Sequence, residues 1–129
     1  MEKKYWPFEV LPPAQRNALH SAQIDFMEAA YREGWRPYKY TFGYSAETED
    51  GREASIIQRS TPSQNKWEVV FCTSEKRVAT AFLSGFQFAA EAALRWLKGE
   101  EADAIISGCK DHLFSPKGAK GSFTILPDG

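Results

Sequence analysis

Cysteine is scarce in this chain: Cys72 and Cys109 are the two among 129 residues. A small secreted scaffold held by disulfides needs more of them, closely spaced. Free thiols in a reducing compartment are therefore expected. Histidine is as rare, with His20 and His112 alone, and no two-histidine metal motif exists. Net charge is nearly absent, with 16 basic against 17 acidic side chains. The balance holds in each half: eight basic and nine acidic in 1–64, eight of each in 65–129. Polyanion binders draw affinity from neutralised phosphates and carry a basic surplus, so the charge balance disfavours nucleic acid as a partner. Long apolar runs are missing too. The longest uncharged stretch, Val78 to Ala90, is broken by Thr80, Ser84, Gly85 and Gln87, whereas a membrane helix needs about 20 apolar residues. No apolar segment follows Lys3 and Lys4, so no secretory signal is read. A soluble, cytoplasmic protein with no membrane partner is expected. No P-loop, nucleophile elbow or dinucleotide fingerprint occurs, and no cofactor or metal is expected.

What the chain does have is aromatic side chains, 14% of the total, within a hydrophobic share of 43%. Length and composition together point to one domain, 1–129, with a core of its own. Residues 1–12 read as an extended apolar arm carrying Tyr5, Trp6, Phe8, Val10 and Leu11, expected to pack on its own domain. The spacing of Leu19, Ala22, Phe26 and Ala30 predicts a helix from about Pro13 to Glu33, stopped by Gly34. The period then changes to two. Tyr38, Tyr40, Phe42 and Tyr44 alternate with Lys39, Thr41 and Gly43, which predicts one strand. Asp50-Gly51 signals a hairpin, answered by a second strand over 52–59. Residues 60–65 form a loop of turn formers. Strands follow over 66–73 and 78–83. Ser84 and Gln87 have the spacing of a capping box, so a second helix is read from Gly85 to about Gly99. A shorter third helix is placed within 100–113, a mobile loop over 115–122 and an edge strand over 123–126. The expected fold is α+β: an antiparallel four- to five-stranded sheet with helices packed on one face, in the order α-β-β-β-β-α-α-β.

Part of this order is similar to the α-β-β-β-α of double-stranded-RNA-binding domains. That family opens its second helix with lysines that grip phosphates. Here Ser84, Gly85, Phe86, Gln87 and Phe88 carry no charge. Gly118-Ala119-Lys120-Gly121 matches the GxxG string of KH modules, but it leads into a strand rather than joining two helices, and a surface loop accounts for it.

Three groups of residues remain as candidates. The ladder Tyr38, Tyr40, Phe42, Tyr44 is either a core face with hydroxyls at its rim or a platform for bases or partner aromatics. Trp67 belongs with it. Glu47, Glu49, Asp50 and Glu53 gather negative charge at the first hairpin, as a solvated turn or as a docking patch for a basic partner. Cys109 and His112 are three residues apart, neighbours on a helix, and would serve a thiol-dependent enzyme. The residues expected to bind are Tyr38, Tyr40, Tyr44, Glu47, Glu49, Asp50 and Trp67. The function expected is that of a small non-enzymatic binding protein acting through a protein partner, of inhibitor, antitoxin, immunity or anti-defence type. A single-strand nucleic-acid binder using the sheet face and a small thiol-dependent enzyme are the alternatives.

Overall fold

The computed structural model describes residues 3–59, 66–114 and 123–125. The elements are β1 (Lys4–Tyr5), α1 (Ala18–Arg32), β2 (Arg36–Tyr40), β3 (Gly43–Glu47), β4 (Glu53–Gln58), β5 (Lys66–Cys72), β6 (Arg77–Ser84), α2 (Phe86–Leu97), α3 (Ala102–Gly108) and β7 (Phe123–Ile125). All strands lie in one sheet in sequence order, β1 to β7, and every neighbouring pair is antiparallel. The α+β class and the antiparallel sheet stand. The strand number and the order are corrected: among the described residues seven strands replace four to five, and the order becomes β-α-β-β-β-β-β-α-α-β.

The largest correction falls on the predicted first strand. It is two strands, β2 and β3, folded back at Thr41 and Phe42 with Tyr40 opposite Gly43. Gly43 is the reason this turn closes. A Cβ at that position would overlap the Ile56 carbonyl oxygen of β4, so only glycine brings β3 onto its neighbour here. The apolar arm supplies the other extra strand. Lys4 and Tyr5 pair with Lys39 and Tyr38, and Trp6 donates its indole N–H to Glu28 of α1 at 3.1 Å.

Helix boundaries also moved for local reasons. The predicted first helix is interrupted after a single 3-10 turn at Pro13–Gln15. The α-helix proper starts at Ala18, because the Asn17 side chain accepts the His20 backbone N–H at 2.7 Å and caps it. The Ser84 capping box does not form. Ser84 stays in β6, opposite Lys66, and Gly85 caps α2 at φ +106. Gly34 at φ +86 follows α1 and Gly99 at φ +104 follows α2, as their stop signals imply.

Alternation along the strands divides the sheet into two faces. Ala46, Ala54, Phe71 and Ala79 form one cross-strand row, and Tyr44, Ile56, Val69 and Ala81 the next. These rows pack against Phe26, Met27 and Ala30 of α1, Phe86, Ala89, Ala93 and Trp96 of α2, and Ile105 of α3. Alanines on the sheet let the helices approach closely. The opposite face carries the row Tyr38, Ser45, Ser55, Val70, Thr80 and the row Tyr40, Gly43, Ile57, Glu68, Phe82. Among the described residues no helix is long and apolar enough to cross a membrane. The predicted loops 60–65 and 115–122, with the Gly118–Gly121 string, lie outside the described residues.

Candidate functional site

The β2–β3 turn splits the tyrosine ladder between the two faces. Tyr44 points toward the helices. Its hydroxyl donates to Gln23 Oε1 at 2.9 Å, and its ring meets Phe86 edge-on at 5.6 Å. Phe42 is 62% exposed at the turn. Tyr38 and Tyr40 point to the face opposite the helices, their rings 6.1 Å apart. Trp67, one of the residues expected to bind, is 1% exposed and packs on Phe86 at 4.9 Å. It is a core residue because its parity on β5 turns it toward α2.

Tyr38 and Tyr40 line a small hollow of about 200 Å³ with Lys3, Ser45 and Ser55. The Ser45 hydroxyl donates to Ser55 Oγ at 2.8 Å. The Tyr38 hydroxyl donates to Glu53 Oε2 at 2.9 Å. Lys3 lies 4.6 Å from the Tyr38 ring centroid, and Tyr5 packs on the same ring at 5.3 Å. Further along this face, buried Glu68 accepts from Arg59 Nε at 2.8 Å and from Thr80 Oγ1 at 2.6 Å. Burial pushes the Tyr38 and Tyr40 phenols up, so both remain neutral donors near pH 7. The hydroxyls of this hollow are largely engaged with one another and with Glu53.

The acidic residues are brought together at the other end of the sheet. Glu33, Gly34, Trp35, Thr48, Glu49, Asp50 and Leu97 line a hollow of about 370 Å³. A second, of about 360 Å³, shares Gly34, Thr48 and Glu49 with it and adds Arg36 and Glu47. The two adjoin at those shared residues, between the β3–β4 hairpin and the end of α1, and together form the acidic notch. That end is the negative pole of the helix, the same sign as the carboxylates, and Arg36 is the basic side chain in the lining. The Thr48 hydroxyl donates to Asp50 and holds its carboxyl below the ordinary aspartate range. Glu47 meets Arg36 at 3.5 Å. Glu53 sits directly opposite Glu47, a repulsive placement. Arg36 on one carboxylate and the Tyr38 hydroxyl on the other relieve it.

Of the seven residues expected to bind, Glu47, Glu49 and Asp50 share the notch, Tyr38 and Tyr40 share the sheet-face hollow, and Tyr44 and Trp67 face the helices. Sequence reasoning missed Glu33, Trp35 and Leu97. The one local signal was Gly34, whose helix stop places Glu33 and Trp35 at a chain reversal.

Cys109 and His112 do not act on each other among the described residues. The Cys109 thiol donates to the Ile105 carbonyl at 3.3 Å, and burial pushes it up. His112 stacks on Phe88, ring centroids 3.4 Å apart and planes at 10°. Both cysteines are free. Among the described residues no group of three or more His, Cys, Asp or Glu is placed to hold a metal ion. No family model matches the chain, and neither the curated proteins nor the solved structures give a significant match.

Proposed function

We propose that this chain is a protein-binding module that takes a basic segment of a protein partner into the acidic notch. One observation carries the proposal: Glu33, Glu49 and Asp50, from two separate parts of the chain, line one recess with Trp35 and Leu97 in its walls, and Glu47, paired with Arg36, lines the hollow beside it. A lysine or arginine entering it meets carboxylates at the rim and the negative end of α1. Its methylene stem has apolar wall to lie on, and Trp35 offers an aromatic face for the cation. A protein of inhibitor, antitoxin, immunity or anti-defence type would act in this way, by occupying its partner. Single-stranded nucleic acid has less to hold: Tyr38 is 5% exposed, and Lys3 and Tyr5 already lie on its ring.

The test is a charge reversal confined to exposed positions, Glu33→Lys with Glu49→Lys and Asp50→Lys. Tagged wild-type and triple-variant protein are used to capture partners from the host lysate at two salt concentrations. The proposal expects one stoichiometric protein held by the wild type, released by salt and lost in the variant. A partner retained equally by both proteins would overturn it.

A further inference from the structure

A further hollow, of about 170 Å³, adjoins the acidic notch. It is lined by Tyr5, Trp6, Tyr31, Trp35, Arg36 and Pro37, so aromatic rings dominate its walls. Trp35 also lines the recess that holds Glu33, Glu49 and Asp50, and Arg36 also lines the one that holds Glu47. The apolar arm builds this hollow. Tyr5 pairs with Tyr38, the Trp6 backbone N–H donates to the Pro37 carbonyl at 2.9 Å, and Glu28 of α1 accepts the Trp6 indole N–H. The rings are thus in position before any partner arrives. They are not covered by the fold: Tyr5 is 41% and Tyr31 49% exposed. An exposed apolar surface rimmed by polar groups is the pattern of a recognition site.

The lining decides what can enter. The Arg36 guanidinium lies 4.8 Å from the centroid of the Tyr5 ring, so the hollow already holds one cation, and a second would be repelled. The basic side chain of a partner belongs with Glu33, Glu49 and Asp50, and the rings receive a neutral one. A space of about 170 Å³ admits a small side chain. Proline fits both demands. Its ring lies flat on tyrosine and tryptophan faces, and it holds the peptide in the polyproline II form, which loses little freedom on docking. That form leaves its own carbonyls unbonded, and the Arg36 side chain, 66% exposed between the two recesses, has donors for them. With Trp35 common to both recesses, the proline and the basic residue lie about two or three residues apart, at about 3.1 Å per residue.

We propose that the segment bound here is a proline-containing polyproline II stretch, its proline seated on Tyr31 and Trp35 and its lysine or arginine in the acidic notch. The inference rests on the notch reading and adds the partner's backbone form and a second anchor. The experiment is fluorescence anisotropy with labelled synthetic dodecapeptides that carry one arginine and a Pro-Pro pair two or three residues away, in either order. Matched peptides replace the prolines with alanines. Each is titrated up to millimolar protein with wild type, with Tyr31→Ala and with the Glu33→Lys, Glu49→Lys, Asp50→Lys variant. All four substituted positions are exposed, and circular dichroism checks that both variants keep the fold. Wild type should bind a proline peptide about tenfold more tightly than its alanine match. Tyr31→Ala should erase that preference, and the notch variant should weaken both peptides. Equal affinity of wild type for the two peptides, with both lost in the notch variant, overturns this inference and leaves the notch reading standing. A proline preference kept at full affinity by the notch variant overturns the notch reading and the coupling to it. A preference that Tyr31→Ala leaves intact, or no binding of any peptide by wild type, overturns the two-anchor site.

Discussion

The guanidinium of Arg52 lies 4.0 Å from the centroid of the Trp96 ring, and the same side chain donates to the Trp96 and Glu100 carbonyls, each at 2.9 Å. The last carbonyls of a helix have no partner within it. The Trp96 carbonyl also accepts the Gly99 N–H at 3.0 Å, so Arg52 adds a second donor there and ties the end of α2 to the β3–β4 hairpin. Trp96 passes the connection on, donating its indole N–H to the Cys72 carbonyl at 3.0 Å and stacking on Phe71 at 5.3 Å. One side chain thus ties hairpin, helix and sheet together beside the acidic notch.

Replacing Arg52 with alanine should lower stability by about 2–3 kcal/mol, from two charged hydrogen bonds and one cation–π contact. Arg52→Lys should lie between, since lysine keeps the charge and loses the fork. Urea unfolding followed by tryptophan fluorescence measures both. Equal stability of all three proteins would remove the clasp from the account.

Gly43→Ala tests the turn that divides the tyrosines. The added methyl meets the Ile56 carbonyl, which is backbone and has no rotamer to change. Overpacking at such a point costs about 1–3 kcal/mol. Amide exchange should show weakened protection at Gln58, whose N–H bonds to the Phe42 carbonyl at 2.9 Å. Unchanged protection there would mean the strand accommodates the methyl.

Alkaline pH should unfold the protein through its tyrosines. Burial raises the phenols of Tyr38, Tyr40 and Tyr44 above their ordinary range. A raised phenol favours the native state fully below its unfolded value of about 10, and that contribution is lost as pH rises beyond it. Melting temperature should therefore fall above that point. Part of the tyrosinate absorbance should appear only as structure is lost. All five tyrosines ionising together with the fold intact would contradict this.

The thiols should be slow. Burial raises both Cys109 and Cys72, with Glu53 adding to the second, while reaction needs the thiolate. Iodoacetamide at pH 8 should label both more slowly in the native protein than in urea. Rapid native labelling of Cys109 would return it to the list of reactive groups.

Several elements were readable in the sequence because their causes are local. Asp50-Gly51 specifies a turn through glycine at φ +96, Gly34 and Gly99 end helices in the same manner, and the alternation of Trp67, Val69 and Phe71 marks a strand wherever it lies. The tyrosine ladder misleads for an equally physical reason. Its period of two runs unbroken from Tyr38 to Tyr44, and Thr41 and Phe42 both favour strands. Nothing nearby announces the reversal between them.

The sequence by itself determined the α+β class, the antiparallel pairing of strands and the glycine stops of the two longer helices, since propensity, period and glycine act within a few residues. Only the tertiary structure decided which residues face outward and which acids meet. Period two shows that side chains alternate, but it names neither the buried side nor the point where a strand folds back. Packing of α2 buried Trp67, and the Ile56 carbonyl placed the turn at Gly43. The end of α1 brought Glu33 and Trp35 to Glu49 and Asp50. These are contacts between distant parts of the chain, and they exist only once the sheet has closed against its helices.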